Sequence, residues 1–341
     1  MQLKTKLYSY GNFPGIIGGV NLTKKKVYIA GDIPQNGINM LREDYHVEVF
    51  DSDAPITEDV LKEKIKGCDG LVPMVGDPVT GDVIDESDNL KVIANYGVGY
   101  DSIDVEKATK EGIKVTNTPG VLHETTADLT FSLILGVMRR TLEADQFLRD
   151  NKFKGWKPRL FLGNDVYGKR LGIIGMGEIG EAVAKRARGF DMDVLYNKRT
   201  PLSSEEENRL GVKYSDIEEI IKTSDIITLH VPLTKETKHL ITKEEFKKMK
   251  NDTYLINTAR GPVVKEDDLV WALENKEIKG AGLDVFEEEP KVHPGLMDRE
   301  DCVLLPHIGS ATEECRQEMA EIACKNIVKV LEENEPITPV N

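Results

Sequence analysis

The segment RLGIIGMGEIGEAVAKRARGF, residues 170–190, decides the fold class of this chain. A short apolar run ends in a turn that contains Gly175, Gly177 and Gly180, and a helical pattern follows at once. Strand, glycine-rich turn and helix in this order form the dinucleotide-binding fingerprint. Gly175 allows the tight turn, Gly177 leaves room for a pyrophosphate, and Gly180 permits close contact between helix and strand. The segment therefore predicts a doubly wound α/β domain that binds a dinucleotide.

The phosphates are expected at the N-terminus of the helix, where free amides and the helix dipole favour anions. The residues predicted to surround them are Gly175, Gly177, Glu178, Ile179 and Gly180.

The next strand predicts which dinucleotide is bound. An NAD site has an acidic residue about 20 positions beyond the glycines, which accepts the ribose hydroxyls. Here the strand DVLY runs into Asn197, Lys198, Arg199 and Thr200, and no carboxylate ends it. Cations at Lys198 and Arg199 suit a 2′-phosphate instead. We therefore predict NADP(H) in preference to NAD(H); the alternative is that both cations belong to a surface loop.

Length and composition limit the remaining possibilities. A chain of 341 residues favours two domains, and 40% hydrophobic with 30% charged residues is ordinary globular composition. The net charge of −14 excludes a surface that is basic throughout, so neither nucleic acid nor an anionic membrane is an expected partner. The four cysteines form no CxxC pair, and we expect free thiols, no metal and a cytoplasmic protein without a targeting or membrane segment.

Two series of alternating strands and helices predict two parallel sheets. Strands of the first series are expected at residues 26–30, 46–50, 69–73, 91–95 and 113–116. Strands of the second are expected at 170–175, 192–196, 225–229, 253–257, 280–284 and 303–305. A single amphipathic helix is predicted between the series, from Leu122 to Arg149, with a centre too apolar for open solvent. The closing helix, 312–334, has apolar residues at helical spacing and must pack against another element.

Three chemically distinct side chains follow strands of the second series. Arg260, Glu289 and His307 are expected at one edge of the sheet, where open α/β folds bind ligands. An arginine, an acid and a histidine in one cleft suit a 2-oxo acid. Because His230 also ends a strand, it competes with His307 as the proton donor.

Five motifs in order carry a resemblance to a known family: GMGEIG (175–180), HVPLTKETKHLI (230–241), INTARGPVV (256–264), GAGLDVFEEEP (280–290) and LLPHIGSAT (304–312). Together they resemble the D-isomer-specific 2-hydroxyacid dehydrogenases, and most closely the glyoxylate/hydroxypyruvate reductase branch. The resemblance runs from about residue 26 to the last helix. A formate dehydrogenase would carry glutamine where this chain has Glu289, which argues against that branch. A phosphoglycerate dehydrogenase with a regulatory C-terminal domain is also not expected, because it would extend further beyond His307.

The resemblance implies a role for each site residue. Arg260 would bind the substrate carboxylate and polarise the carbonyl, His307 would exchange the proton, and Glu289 would hold the other ring nitrogen of His307. Backbone amides of the first domain would bind substrate at Val98 and Gly99 and at Val75 and Gly76. A pocket floored by Met74 and Val75, without a basic residue, suits a small or apolar oxo acid. The implied cofactor contacts include His230, which argues against its role as the acid. They are Thr125, Ala127, His230, Val231, Pro232, Thr237, Thr258, Ala259, Arg260, Asp284, His307 and Gly309.

The fold class expected is α/β, with two doubly wound parallel-sheet domains. A Rossmann cofactor domain, residues 119–308, would be inserted into a flavodoxin-like substrate domain of residues 1–118 and 309–341, with hinges near Pro119 and Ile308. The expected function is NADPH-dependent reduction of glyoxylate, hydroxypyruvate or a similar 2-oxo acid by a homodimer formed through the 122–149 helix region. The alternatives are a broad dehydrogenase for larger oxo acids and a non-enzymatic, dinucleotide-binding protein of the corepressor type.

Overall fold

The computed structural model describes residues 24–52 and 54–341, which form two parallel β-sheets covered by helices. The expected start of the first domain at residue 1, and the expectation about an N-terminal targeting segment, fall outside these residues. In the described ranges, no helix is both long and apolar enough to span a bilayer, and no group of three or more His, Cys, Asp or Glu side chains is placed to hold a metal ion.

The first sheet has five parallel strands in the order β2-β1-β3-β4-β5. Its strands are β1 (Lys26–Ile29), β2 (His46–Val49), β3 (Gly70–Val72), β4 (Val92–Ala94) and β5 (Lys114–Thr116). Its connecting helices are α1 (Gln35–Asp44), α2 (Glu58–Lys64), α3 (Gly81–Asp85) and α4 (Val105–Lys110). This order is that of flavodoxin-like folds, and the predicted fold class is confirmed for this half.

The second sheet has seven parallel strands in the order β12-β11-β10-β9-β6-β7-β8. The strands are β6 (Arg170–Ile174), β7 (Asp193–Asn197), β8 (Val212–Tyr214), β9 (Ile226–Leu229), β10 (Tyr254–Asn257), β11 (Gly280–Leu283) and β12 (Cys302–Leu304). The order reverses between β6 and β9, which is the Rossmann switch point. The fold class is therefore confirmed here as well, with one edge strand, β8, that the sequence pattern did not predict.

The segment 122–149 is two helices, so the prediction of one continuous helix was wrong. They are α5 (His123–Arg139) and α6 (Thr141–Arg149). Arg140 between them has a left-handed φ of 54° and ends α5. Its guanidinium pairs with Glu143 at 2.5 Å and lies over the ring of Phe161, which holds the turn in place.

Seven further helices complete the described part of the chain. They are α7 (Glu178–Ala187), α8 (Ser204–Leu210), α9 (Ile217–Thr223), α10 (Lys243–Phe246), α11 (Glu266–Glu274), α12 (Pro294–Met297) and α13 (Glu313–Glu333), with short 3₁₀ turns at Arg188–Phe190 and Gly261–Val263. The last helix, α13, returns to the first sheet and buries Met319, Ala323 and Ile327 in the same apolar core as Val27 and Val92. We call the first sheet with α1–α4 and α13 the first lobe, and the elements from α5 to β12 the second lobe.

Candidate active site

The centre of the site is the pair formed by His307 and Glu289, at the carboxyl edge of the second sheet. His307 Nδ1 lies 2.7 Å from Glu289 Oε2, and the other oxygen, Oε1, accepts the amide of Phe286 at 3.0 Å. Partial burial raises the pKa of Glu289, but the hydrogen bond and charge of His307 outweigh it, so this pKa lies below its ordinary value. An ionised carboxylate only accepts, and Nδ1 therefore donates. In the described part of the chain, Nε2 of His307 has no partner and remains for a substrate.

The turn that carries His307 is held by Asp284. His307 has a left-handed φ of 53°, which is unfavourable for a residue with a side chain. The carbonyl of Asp284 accepts the His307 amide at 2.9 Å, and its two carboxylate oxygens accept the amides of Ile308 and Gly309, each at 2.8 Å. Burial nevertheless raises the pKa of Asp284 to about 6. One residue thus fixes three consecutive amides and the direction of the histidine.

His230, the competing histidine, is unsuited to donate protons. Loss of hydration lowers its pKa to about 3, so the ring is neutral at physiological pH. Its Nε2 lies 2.9 Å from the hydroxyl of Thr228, and Nδ1 lies 3.5 Å from that of Thr258. The ring belongs to the wall of the switch-point crevice.

Arg260 reaches across the cleft from the loop after β10. Its Nε donates to Asp101 Oδ1 at 2.9 Å, and Nη1 donates to the carbonyl of Ala259 at 2.8 Å. Nη2 lies against Gly99, where a side-chain carbon added to the glycine would stand only 1.6 Å away. Gly99 is required because the guanidinium occupies the space of a side chain. The second-lobe arginine therefore touches the first-lobe turn that was expected to bind substrate.

The carbonyls of that turn all accept hydrogen bonds from side-chain amides. Asn95 Nδ2 donates to the carbonyls of Gly97 and Gly99, each at 2.9 Å, and Asn117 Nδ2 donates to that of Val98 at 2.9 Å. The amides of Val98 and Gly99 have no acceptor among the described residues. Adjacent free amides of this kind form a nest for an anion.

The second predicted substrate turn has the same character. The Gly76 amide also lacks an acceptor in the residues the structure describes, and Gly76 has a φ of 89°. Met74, two residues before it, pairs with Tyr96 in an isolated parallel bridge. Asp77 closes the turn by accepting the Met74 amide at 2.7 Å. Burial raises the pKa of Asp77 to about 6.

The glycine-rich turn after β6 provides the cradle for a dinucleotide. A side chain at Gly175 would meet the backbone of His230 at 2.5 Å, and one at Gly180 would meet the Gly175 carbonyl at 2.3 Å. Within the described part of the chain, nothing lies within 4 Å of the side-chain position of Gly177, and no side chain caps the N-terminus of α7. The open space at Gly177 and the free amides of Glu178 and Ile179 fit a pyrophosphate.

The end of β7 is cationic. Asn197 commits its carboxamide to the carbonyl of Ser215, 2.9 Å away. Lys198 is half-buried, whereas Arg199 and Thr200 are exposed. Neither cation forms an ion pair within 4.0 Å in residues 24–52 and 54–341. Lys198 contributes to the lowered pKa of Glu206, and Arg199 to that of Glu236.

The remaining predicted cofactor residues lie at four places in the second lobe. Thr125 lies half-buried in the first turn of α5, and Val231, Pro232 and Thr237 form the loop after β9, where the Thr237 hydroxyl donates to the Pro232 carbonyl at 2.6 Å. Thr258 is buried beside Thr130, with 3.1 Å between their hydroxyls. Ala127 is 0% exposed and packs in the second-lobe core, and its contact with the nucleotide stays a prediction.

Sequence reasoning missed Asn95, Asn117 and Asp101, whose side chains organise the substrate turn and Arg260. The signal was present, since short polar residues beside glycine turns commonly bond to nearby backbone.

The chain is similar to known proteins over most of its length. Residues 131–309 match the family model described as D-isomer specific 2-hydroxyacid dehydrogenase, NAD binding domain. The chain is 48% identical over 322 residues to a glyoxylate reductase of Thermococcus onnurineus, covering 93% of this chain and 96% of that protein. Among solved structures, one Thermus thermophilus protein has a TM-score of 0.87 at 43% identity, covering 93% and 100% of the two chains. The NADPH-dependent glyoxylate/hydroxypyruvate reductase of Sinorhizobium meliloti, solved with NADP and malonate, has a TM-score of 0.83 at 32% identity, covering 93% and 97%.

Proposed function

The chain belongs to the D-isomer-specific 2-hydroxyacid dehydrogenase family, and on this premise we propose that it reduces glyoxylate, hydroxypyruvate or a similarly small 2-oxo acid to the D-2-hydroxy acid. The observation that carries the proposal is the 2.7 Å pair of His307 and Glu289, with the fork of Arg260 in the same cleft. Similarity to glyoxylate reductases over most of the chain supports the choice of substrate. A non-enzymatic, dinucleotide-binding protein of the corepressor type would not require this ionised pair.

Each residue of the pair and the fork has a chemical task. The substrate carboxylate binds to Arg260 and to the free amides of Val98 and Gly99, which orient the carbonyl. When bound, the reduced nicotinamide supplies a hydride to the carbonyl carbon. His307 Nε2 donates its proton to the carbonyl oxygen, on which negative charge develops, so that C=O becomes H–C–OH. Glu289 stabilises the imidazolium before the transfer and keeps its orientation afterwards.

NADPH is the proposed reductant. Lys198 and Arg199 lie where an acidic residue would receive the ribose hydroxyls of NAD, and neither forms an ion pair in the described chain. The solved relative that carries NADP supports the same assignment. We assign the cofactor to residues 119–308 and the substrate amides to the domain formed by the remaining described residues, with cleft closure at Pro119 and Ile308.

We further propose a homodimer, with a revised interface. The apolar centre of α5 lies in the chain's own core, where Phe131, Leu133 and Ile134 are buried, and is unavailable to a partner. The exposed apolar side chains follow it, on α6 and the loop to β6, with Trp156 82% exposed. They are Leu142, Leu148, Phe153, Trp156, Leu162 and Tyr167. We assign the interface to this segment because exposed apolar surface often marks a protein–protein contact.

A panel of 2-oxo acids tests the proposal. Purified protein should oxidise NADPH faster than NADH in the presence of glyoxylate and hydroxypyruvate. Preference for larger oxo acids would favour the broad dehydrogenase, and no turnover on the whole panel with either cofactor would refute the enzymatic function and leave the interaction protein.

A further inference from the structure

We propose that Asp101 is a positioning residue that holds the Arg260 fork in its reactive orientation across the domain cleft. The proposal rests on the function proposed above and adds a residue to its machinery. Asp101 lies in the first lobe, three residues beyond Val98, whereas Arg260 belongs to the second lobe. Among the described residues, their contact at 2.9 Å is the only ion pair that joins the two lobes.

The geometry leaves one end of the guanidinium for substrate. Nε is committed to Asp101 and Nη1 to the carbonyl of Ala259, 2.8 Å away. Two anchors on a planar group fix its plane, and Nη2 then faces Gly99 and the free amide beside it. With asparagine at position 101, Nε keeps a neutral acceptor in place of the ion pair, so the guanidinium is held less firmly toward the nest.

The loop couples this orientation to closure of the cleft. Residues 97–101 carry both the substrate amides and the Asp101 carboxylate, so one movement of the first lobe brings both to Arg260. When the lobes separate, Arg260 loses Asp101 and the nest together. The guanidinium of Arg260 is thus aligned when the cleft is closed and the substrate is held.

The pair is suited to orientation rather than to stability. Its side chains are 21% and 32% exposed, and ion pairs with such access to water contribute little to folding free energy. Positioning errors near 1 Å, in contrast, reduce catalysis by about 100-fold. Removing the Asp101 charge should therefore reduce the rate and leave the melting temperature unchanged.

The test combines Asp101→Asn with a matched control and a double-mutant cycle. Asp88→Asn is the control, because Asp88 is exposed in the same lobe and makes no ion pair or side-chain hydrogen bond in the described structure. We expect Asp101→Asn to lower kcat/KM for glyoxylate about 10- to 100-fold, with unchanged Kd for NADPH and unchanged Tm. In an Arg260→Lys background the same change should cost less than about threefold, because the fork it orients is gone.

Amide hydrogen exchange gives a readout independent of turnover. Exchange of residues 97–104 should be faster in Asp101→Asn than in wild type or Asp88→Asn. If wild type is inactive on 2-oxo acids, the proposed function fails and this exchange result still decides whether Asp101 holds the loop. If wild type is active and Asp101→Asn matches Asp88→Asn in rate and exchange, or loses equal activity with and without Arg260, the positioning role is refuted.

Discussion

Glu289 Oε2 lies 2.7 Å from Nδ1 of His307, on a turn in which His307 has a left-handed φ of 53°. The contact orients the ring and leaves Nε2 toward the cleft. It places the charge that favours imidazolium beside the group that must donate a proton.

Glu289→Gln separates the charge of this contact from its geometry. Glutamine retains an oxygen that accepts from Nδ1 but does not favour the charged ring. We expect kcat/KM for reduction, measured from pH 5 to 9, to fall. Glu288→Gln, one residue earlier and exposed, should leave kcat/KM unchanged; equal values for both variants would show that the charge of Glu289 is not used.

Gly99→Ala tests the contact between the lobes sterically. The added carbon would lie 1.6 Å from Nη2 of Arg260, so either the fork or the substrate turn must move. We expect kcat/KM for glyoxylate to fall about 100-fold or more, measured by steady-state kinetics. Gly189→Ala is the control, because none of the described residues lies within 4 Å of its side-chain position. Full activity of Gly99→Ala would mean that Arg260 does not work against this turn.

Lys198→Asp tests the cofactor assignment. A carboxylate at the end of β7 accepts the ribose hydroxyls of NADH and repels a 2′-phosphate. The ratio of kcat/KM for NADPH over NADH should therefore drop at least tenfold, the effect of about 1.4 kcal/mol. Lys91→Asp, an exposed charge reversal in the first lobe, should leave the ratio unchanged. A wild-type preference for NADH would itself contradict the assignment based on Lys198 and Arg199.

Asp77→Asn should change how stability depends on pH. Burial raises the pKa of Asp77 from 3.8 to about 6, so between these values the native state binds more protons than the unfolded state. The contribution of Asp77 to the free energy of unfolding is therefore largest below pH 3.8. This contribution is lost as the pH rises through 6. The loss is at most about 3 kcal/mol.

Urea denaturation at pH 4 to 7 measures this effect. Relative to wild type, Asp77→Asn should gain stability as pH rises across the window, whereas Asp88→Asn should follow wild type. A constant difference between wild type and Asp77→Asn at every pH would show that the carboxyl titrates normally.

Leu148→Ala with Trp156→Ala tests the revised dimer interface. Both side chains are exposed in the single chain, so their loss should weaken association without lowering the stability of the fold. Light scattering after size exclusion should show a monomer at concentrations where wild type is a dimer. Met297→Ala, which shortens an exposed side chain on α12, should remain dimeric; a dimeric double variant would place the interface elsewhere.

The sequence predicted those features that depend on local pattern. Buried parallel strands read as short apolar runs, and every strand of the two sheets was predicted except β8, in which Val212 alone is buried. The break at Arg140 was hidden because α5 and α6 are both helical, and only the tertiary contact with Phe161 shows why the chain turns.

In the candidate active site, too, some features depend on local sequence pattern and others on tertiary contacts. Arg260, Glu289 and His307 follow strands and were identified from that position, but their partners depend on which loops meet in space. Asp101 lies 159 residues from Arg260 along the chain. Asp284 accepts hydrogen bonds from backbone amides, and a sequence motif does not show such bonds. Such contacts arise from the packing of the two lobes rather than from local sequence.

His307→Asn removes the imidazole that is proposed to protonate the 2-oxo acid as hydride arrives. NADPH oxidation and glycolate formation are followed together, with glyoxylate as substrate, for wild type and for this variant. We expect wild type to form one glycolate for each NADPH oxidised, and His307→Asn to react about 100- to 10,000-fold more slowly while it retains NADPH binding. Equal rates for the two proteins would show that His307 is not the proton donor.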